Sequence, residues 1–437
     1  MKSNYSPLLY SAPFFTPKSR GALALFGELF QRGYAHGLVD HAARSGYRLI
    51  SATVGRREKD VLRPLTDEER KDKGHDFINI PLECGFDLFR GADNKSLVDL
   101  LKDIKLSEWP QARLDFDLIQ QLKLSGEQDF RNRVRLYLNE LDRLTENDED
   151  LLIAHLMAGG IPRAKILMPL LNRMFKGTGD RYQSSELFWN SDLGRACSLS
   201  FEAVTADSFR VLLEEAEPLV QKRSSRGQKT RFTAYGYHGT AVRLQNEMQW
   251  QTYSPYLQGW AKLKLEHIAE EFFKKSYLCC VYNCPEILTQ SSSVFQGVEV
   301  PLYTLLESLR EYSTQLSRPK VWAALEPRLK VKLKDLVSWQ EIQSVCEAFL
   351  LDPRWAFQRD FAQFPTHSQA DQLENLILTS DRLISFHKDE KDLLTFPLSE
   401  VVFQACGHAL FTDSTSPQMA VRWINHDYVA NHYVMNS

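Results

Sequence analysis

GALALFGELFQRGYAHGLVDHAARSGYRLISATVGRRE, residues 21–58, is the stretch on which the fold turns. GALALF (21–26) reads as a short buried strand. A turn punctuated by Gly27, Gly33 and Gly37 follows, then a helical run, LVDHAARSG, closed by Gly46 at its C-cap. YRLISATV is a second strand. Strand, glycine-rich turn, helix and strand in this order form the opening βαβ unit of a dinucleotide-binding fold. Glycines let the backbone approach a pyrophosphate, and the helix start offers free N–H groups and the positive end of its dipole. The Gly-x5-Gly-x3-Gly spacing is looser than the usual fingerprint. Taken alone, it fits a glycine-containing connection in a helical protein equally well.

The second strand runs into Arg56 and Arg57. At this place an acidic residue selects a ribose 2′-hydroxyl, whereas arginine accommodates a 2′-phosphate. Two arginines favour NADPH, with NADH as the alternative. The competing reading is a solvated loop, because RREKDVLRPLTDEERKDK is charged throughout.

Around this unit the chain has 437 residues, 43% hydrophobic and 25% charged, which is globular composition. Its 53 basic and 56 acidic residues leave a net charge of -3, with no cationic excess to neutralise nucleic acid. No apolar run approaches the ~20 residues that cross a bilayer. The N-terminus, with two prolines, is too polar for a signal peptide. Seven cysteines without paired zinc-ligand spacing predict neither a disulfide scaffold nor a metal, and fit a cytoplasmic protein.

Helical periodicity marks FRNRVRLYLNELDRL and FRVLLEEAEPLVQK. LLIAHLMAGG (151–160) reads as a buried strand whose small residues, Ala158 and Gly159, let a cofactor pass close to backbone. FPLSEVVFQACGHALF fits a late strand or a helix. The expectation is one α/β domain over 1–437, a Rossmann-like doubly wound parallel sheet. Its nucleotide-binding core takes 20–60 and 150–290, with a helical insertion at 61–149 and a C-terminal cover at 291–437.

The chemistry concentrates in 233–289: the strand end TAYGYHGT, then TYSPYLQGWAKLKLEHIAEEFF, then LCCVYNCPEILT. Ser254-Pro255 is a helix start. Nine positions separate Tyr253 from Lys262, about 900° of helical turn, so Tyr253 reaches the lysine only from outside the helix. Tyr256, inside it, is the poorer partner. A cation beside a phenol favours phenolate, and such a pair can protonate an enolate or alkoxide. For an isolated pair, packing of the tyrosines and snorkelling of the lysine explain the pattern as well.

These motifs resemble the short-chain dehydrogenase/reductase superfamily, and within it the Tyr-x8-Lys class of enoyl-acyl-carrier-protein and trans-2-enoyl-CoA reductases. Tyr235-Gly236-Tyr237-His238-Gly239 matches the first element of that class. Tyr253-SPYLQGWA-Lys262 matches the second, and Pro285-Glu286-Ile287-Leu288-Thr289 looks like the nicotinamide loop. The resemblance is specific over about 233–289 and loose over 21–60 and 150–160. It implies NAD(P)H-dependent reduction of the 2,3 double bond of an enoyl thioester, on acyl carrier protein or CoA, in fatty-acid synthesis.

Tyr253 would be the proton donor, Lys262 would bind the nicotinamide ribose and tune it, and Tyr237 would contact the thioester carbonyl. Gly27, Gly33, Gly37, Arg56, Arg57, Ala158, Gly159, Lys262 and Thr289 would bind the cofactor. Tyr256 and Phe295 would face the substrate. Glu286 departs from the family, which has a small residue after the proline. Thr240 is a candidate hydroxyl partner or a surface residue. Two alternatives stand beside this: reduction of a 3-ketoacyl thioester or other carbonyl, and a non-catalytic NADP-sensing scaffold.

Overall fold

The computed structural model describes residues 5–9, 20–30, 33–58, 61–74, 76–252, 258–289, 295–389 and 393–437. Seven parallel strands form its central sheet: β1 (Gly21–Phe26), β2 (Arg48–Thr53), β3 (Phe77–Pro81), β4 (Asp150–His155), β5 (Lys229–Gly236), β6 (Leu278–Asn283) and β7 (Val421–Trp423). Their spatial order is β3-β2-β1-β4-β5-β6-β7. The chain winds outward from β1 to β3, then returns across β1 to build β4 to β7. The reversal opens a crevice at the carboxyl ends of β1 and β4, where ligands bind in such sheets. Phe26 and His155, paired in register, stand at its base.

β1 and β4 are buried along their whole length, hence their continuous apolar runs. Alternate side chains enter two cores. Leu23, Leu25, Leu152 and Ala154 pack with α1 (Tyr34–Arg44) and with the helix Thr395–Asp413. Ala24, Phe26, Leu151 and Ile153 pack on the other face with α2 (Phe116–Leu144), α3 (Ser208–Glu215) and α4 (Gln258–Lys274). Thr395–Asp413 is α5. At the opposite end of the sheet, fully buried Arg231 forks onto Asp150 at 2.9 and 2.7 Å, and the Tyr47 hydroxyl donates to the same carboxylate at 2.5 Å.

The Rossmann-like expectation holds, with differences in how the strands are supplied. Residues 61–149 are not simply a helical insertion, because they contribute β3. The C-terminal region is more than a cover. It supplies β7, which hydrogen-bonds to β6, and α5, which lies along α1. FPLSEVVFQACGHALF is therefore helical. The helical run FRVLLEEAEPLVQK is two short helices, Ser208–Glu215 and Glu217–Ser225, preceded by a π-helical segment, Ala203–Asp207. No disulfide joins any of the seven cysteines, and Cys279 and Cys280 lie buried in β6. Among the described residues no three metal-ligating side chains converge, and no helix is long and apolar enough to cross a membrane.

Candidate active site

Two cavities meet at the crevice. The first, of about 240 Å³, lies over the ends of β1, β2 and β4 and is lined by Gly27, Glu28, Val54, Glu83, Met157 and Arg163 among others. The second, of about 160 Å³, runs from the start of α1 (Gly33, Tyr34, His36) past His155 and Ala158 to Tyr235 and Lys262. Glu28, Phe30, Leu156, Met157 and Ala158 line both, so the two form one cleft across the reversal point.

Gly27 opens the turn after β1 with φ +126°, a conformation that a side chain would strain. Gly33 is the N-cap of α1. It has no side chain to cap the helix, and no acidic residue occupies the first turn. The positive end of α1 therefore faces the cleft.

At the floor, Lys262 of α4 is buried, and its Nζ donates to the Tyr235 carbonyl oxygen at 2.5 Å. Burial lowers its pKa to about 8, against the opposing attraction of Cys284 and Glu266. His155 is neutral: burial, helped by Lys262, holds its pKa near 3, and its Nε2 is 2.8 Å from the Ser208 hydroxyl. The Tyr34 ring stacks on Tyr235 with centroids 5.6 Å apart. Its hydroxyl donates to the Pro285 carbonyl at 2.5 Å, tying the loop after β6 to the first residue of α1.

The cleft rim at β2 is charged but internally matched. Arg56 donates to both oxygens of buried Glu28 at 2.9 Å each, while Thr53 Oγ1 and Lys73 donate at 2.8 and 3.0 Å. Burial opposes ionisation of Glu28, but these donors hold its pKa down at about 2. Arg57 donates to Glu83 at 2.6 Å, and Glu83 also accepts from Arg163.

A family model for the enoyl-acyl carrier protein reductase FabMG matches residues 14–433. The chain belongs to the FabMG family. It is an enoyl-acyl carrier protein reductase, an oxidoreductase of the 2,3 double bond of enoyl thioesters, and neither the carbonyl-reductase nor the sensor alternative is retained. A solved apo structure of a FabMG is 35% identical over 100% of this chain and 99% of that chain, with a TM-score of 0.92. An NADH-bound FabMG structure is 31% identical over all of both chains, with a TM-score of 0.77. No curated protein matches.

In this FabMG-family reductase, Gly27, Gly33, Ala158 and Lys262 line the cleft. Gly159 adjoins it, and its carbonyl accepts from Thr205 at 2.9 Å. Gly37 does not line it: it sits inside α1 where that helix crosses α5. Arg56 and Arg57, expected to await a 2′-phosphate, are engaged by carboxylates. The Tyr237 hydroxyl donates to Glu286 at 3.3 Å. Thr289 follows β6 and is half-buried. Phe295 packs against Phe175, with centroids 5.5 Å apart, beside a small void lined by Leu373 and Leu376. Tyr253 and Tyr256 lie outside the described residues.

Thr240 is neither a surface residue nor a hydroxyl partner in the cleft. It is fully buried and donates to the Ile424 carbonyl at 2.9 Å. Sequence reasoning passed over Glu28, Tyr34 and His155. Glu28 and Tyr34 sit on either side of the turn it had singled out. The signal for Glu28 was a lone carboxylate one residue after the first glycine.

Proposed function

We propose that this reductase uses NADH, and that Tyr253, Lys262 and Tyr237 act together as in the Tyr-x8-Lys class it resembles. The observation that carries the reading is the buried ammonium of Lys262 at the floor of a cleft whose other end meets the open start of α1. The cleft fits a nicotinamide dinucleotide. The start of α1 and Gly33 would receive the pyrophosphate, Lys262 the nicotinamide ribose, and Ala158 with Thr289 the ring. Bound reduced nicotinamide supplies a hydride for the β-carbon of the enoyl group. Lys262 lowers the energy of phenolate on Tyr253, which donates its proton to the enolate, while Tyr237 hydrogen-bonds the thioester oxygen. The substrate is an enoyl thioester of acyl carrier protein in fatty-acid synthesis, and cysteines that form no disulfide fit a reducing cytoplasm.

NADH is favoured over NADPH because Arg56 and Lys73 are already engaged by the Glu28 carboxylate they share. A 2′-phosphate at this rim would meet an ionised carboxylate before it met a free cation. The NADH held by the 31% identical FabMG accords with this. Glu28→Gln removes the anion and releases both cations. The expected result is a rise of about tenfold in the ratio of kcat/KM for NADPH to that for NADH, equivalent to about 1.4 kcal/mol. Steady-state oxidation of each coenzyme with a crotonyl thioester measures it. An unchanged ratio would remove Glu28 from cofactor choice, and a wild-type preference for NADPH would overturn the NADH reading.

A further inference from the structure

Glu286 is the family departure that the reading above leaves unused. The residue is 6% exposed, and its Oε1 lies 3.3 Å from the Tyr237 hydroxyl oxygen, within hydrogen-bond distance. The backbone beneath it is fixed, since the Pro285 carbonyl is held by Tyr34 at 2.5 Å and the Leu288 N–H by the Ser399 hydroxyl at 3.0 Å. The titratable groups facing it are Tyr237 beyond β5, Tyr34 of α1 and, from the segment 299–303, Glu299. Glu299 is itself buried and accepts from Ser380. Lys262, across the site, supplies no ion pair to Glu286 among the described residues.

We propose that Glu286 works as a neutral carboxylic acid and is the positioning residue for Tyr237. This rests on the reading that Tyr237 hydrogen-bonds the thioester oxygen. A carboxylic acid donates its own hydrogen to the phenol oxygen, so that Tyr237 can direct its hydrogen at the substrate rather than at Glu286. A carboxylate is an acceptor only. It draws the Tyr237 hydrogen back onto itself and sets a negative charge behind the developing enolate. Burial, together with Glu299, raises the Glu286 pKa to about 8 although the Tyr237 hydrogen bond opposes the shift. The working form is therefore present below pH 8 and is lost as pH rises through that value.

Lys262 loses its charge in the same range, so wild-type kcat/KM for a crotonyl thioester is expected to fall along a two-proton limb. In Glu286→Gln the side-chain amide donates to Tyr237 at every pH. Its rate at pH 7 should stay within about threefold of wild type. Only a one-proton limb should remain, so that the fraction of its pH 7 rate retained at pH 9.5 exceeds the wild-type fraction about 30-fold. Tyr237→Phe should be slow at all pH values and show the same one-proton limb. Equal fractional losses in wild type and Glu286→Gln would overturn the proposal. Should the glutamine variant fail to bind NADH, the Tyr237→Phe profile decides: one proton supports the proposal, two protons contradict it. A Tyr237→Phe protein with wild-type rate and profile would instead sink the role of Tyr237 itself.

Discussion

Lys262→Met is expected to make the protein more stable and nearly inactive. Folding takes this lysine from a pKa of 10.5 to about 8. Below pH 8 the folded state must hold a buried ammonium that the unfolded chain leaves in water. The penalty, about 3 kcal/mol, is present in full at pH 7 and is relieved as pH rises from 8 to 10.5. Methionine fills the same space without the charge. After loss of the hydrogen bond to the Tyr235 carbonyl, a net gain of about 2 kcal/mol in unfolding free energy at pH 7 is expected. Turnover should fall at least about 100-fold, because the tyrosine loses the cation that eases its proton transfer. Chemical denaturation at pH 7 and at pH 10.5 checks the sign, since the gain should shrink at the higher pH. A variant that is destabilised at pH 7 and keeps its turnover would show Lys262 to be an ordinary packing residue.

The second large effect is expected at Gly37. A Cβ there would stand 1.8 Å from the Phe403 carbonyl oxygen of α5, and one on Gly407 would stand 2.0 Å from the Gly37 backbone. The two helices touch backbone to backbone, and nothing flexible can yield. Gly37→Ala must therefore push α1 away from α5, costing about 3 kcal/mol or more, the upper part of the range for overpacked cores. Because the start of α1 faces the cleft, NADH affinity should fall together with the midpoint of unfolding. Gly33→Ala is the contrast. No atom lies within 4 Å of its Cβ position, though its positive φ still strains alanine. It should weaken NADH binding with a smaller loss of stability. A Gly37→Ala protein of wild-type stability would contradict the close contact.

This contrast bears on what the sequence could reveal. Three glycines in a row of turns look alike in one dimension. Which of them serves a ligand and which a helix crossing depends on α5, more than 350 residues downstream. The βαβ opening was readable because β1, α1 and β2 carry distinct periods within about 35 residues. So were α4, whose apolar residues recur at helical spacing, and β6, an apolar run of strand type. β3 escaped notice because FINIP is a half-buried strand with one fully buried residue, and β7 because three residues carry no period. The apolar run of α5 is buried on nearly all sides between α1 and the C-terminal helix, so neither period dominates it.

Charge was the least legible property. Arg56 and Arg57 looked available because their partners, Glu28 and Glu83, are each more than 25 residues away in sequence. An ion pair that neutralises an arginine is a tertiary fact. Glu286 shows the reverse case: its identity was visible as a departure in a familiar loop, but its burial against Tyr237 was not.

Tyr253 is the residue on which the proposed chemistry depends most directly. Single-turnover oxidation of NADH by Tyr253→Phe, mixed with a crotonyl thioester of acyl carrier protein, isolates it. NADH affinity should stay within about threefold of wild type while oxidation slows at least about 100-fold. Oxidation at the wild-type rate would mean that the proton comes from elsewhere and that the Tyr253–Lys262 pair is not the machinery of this reductase.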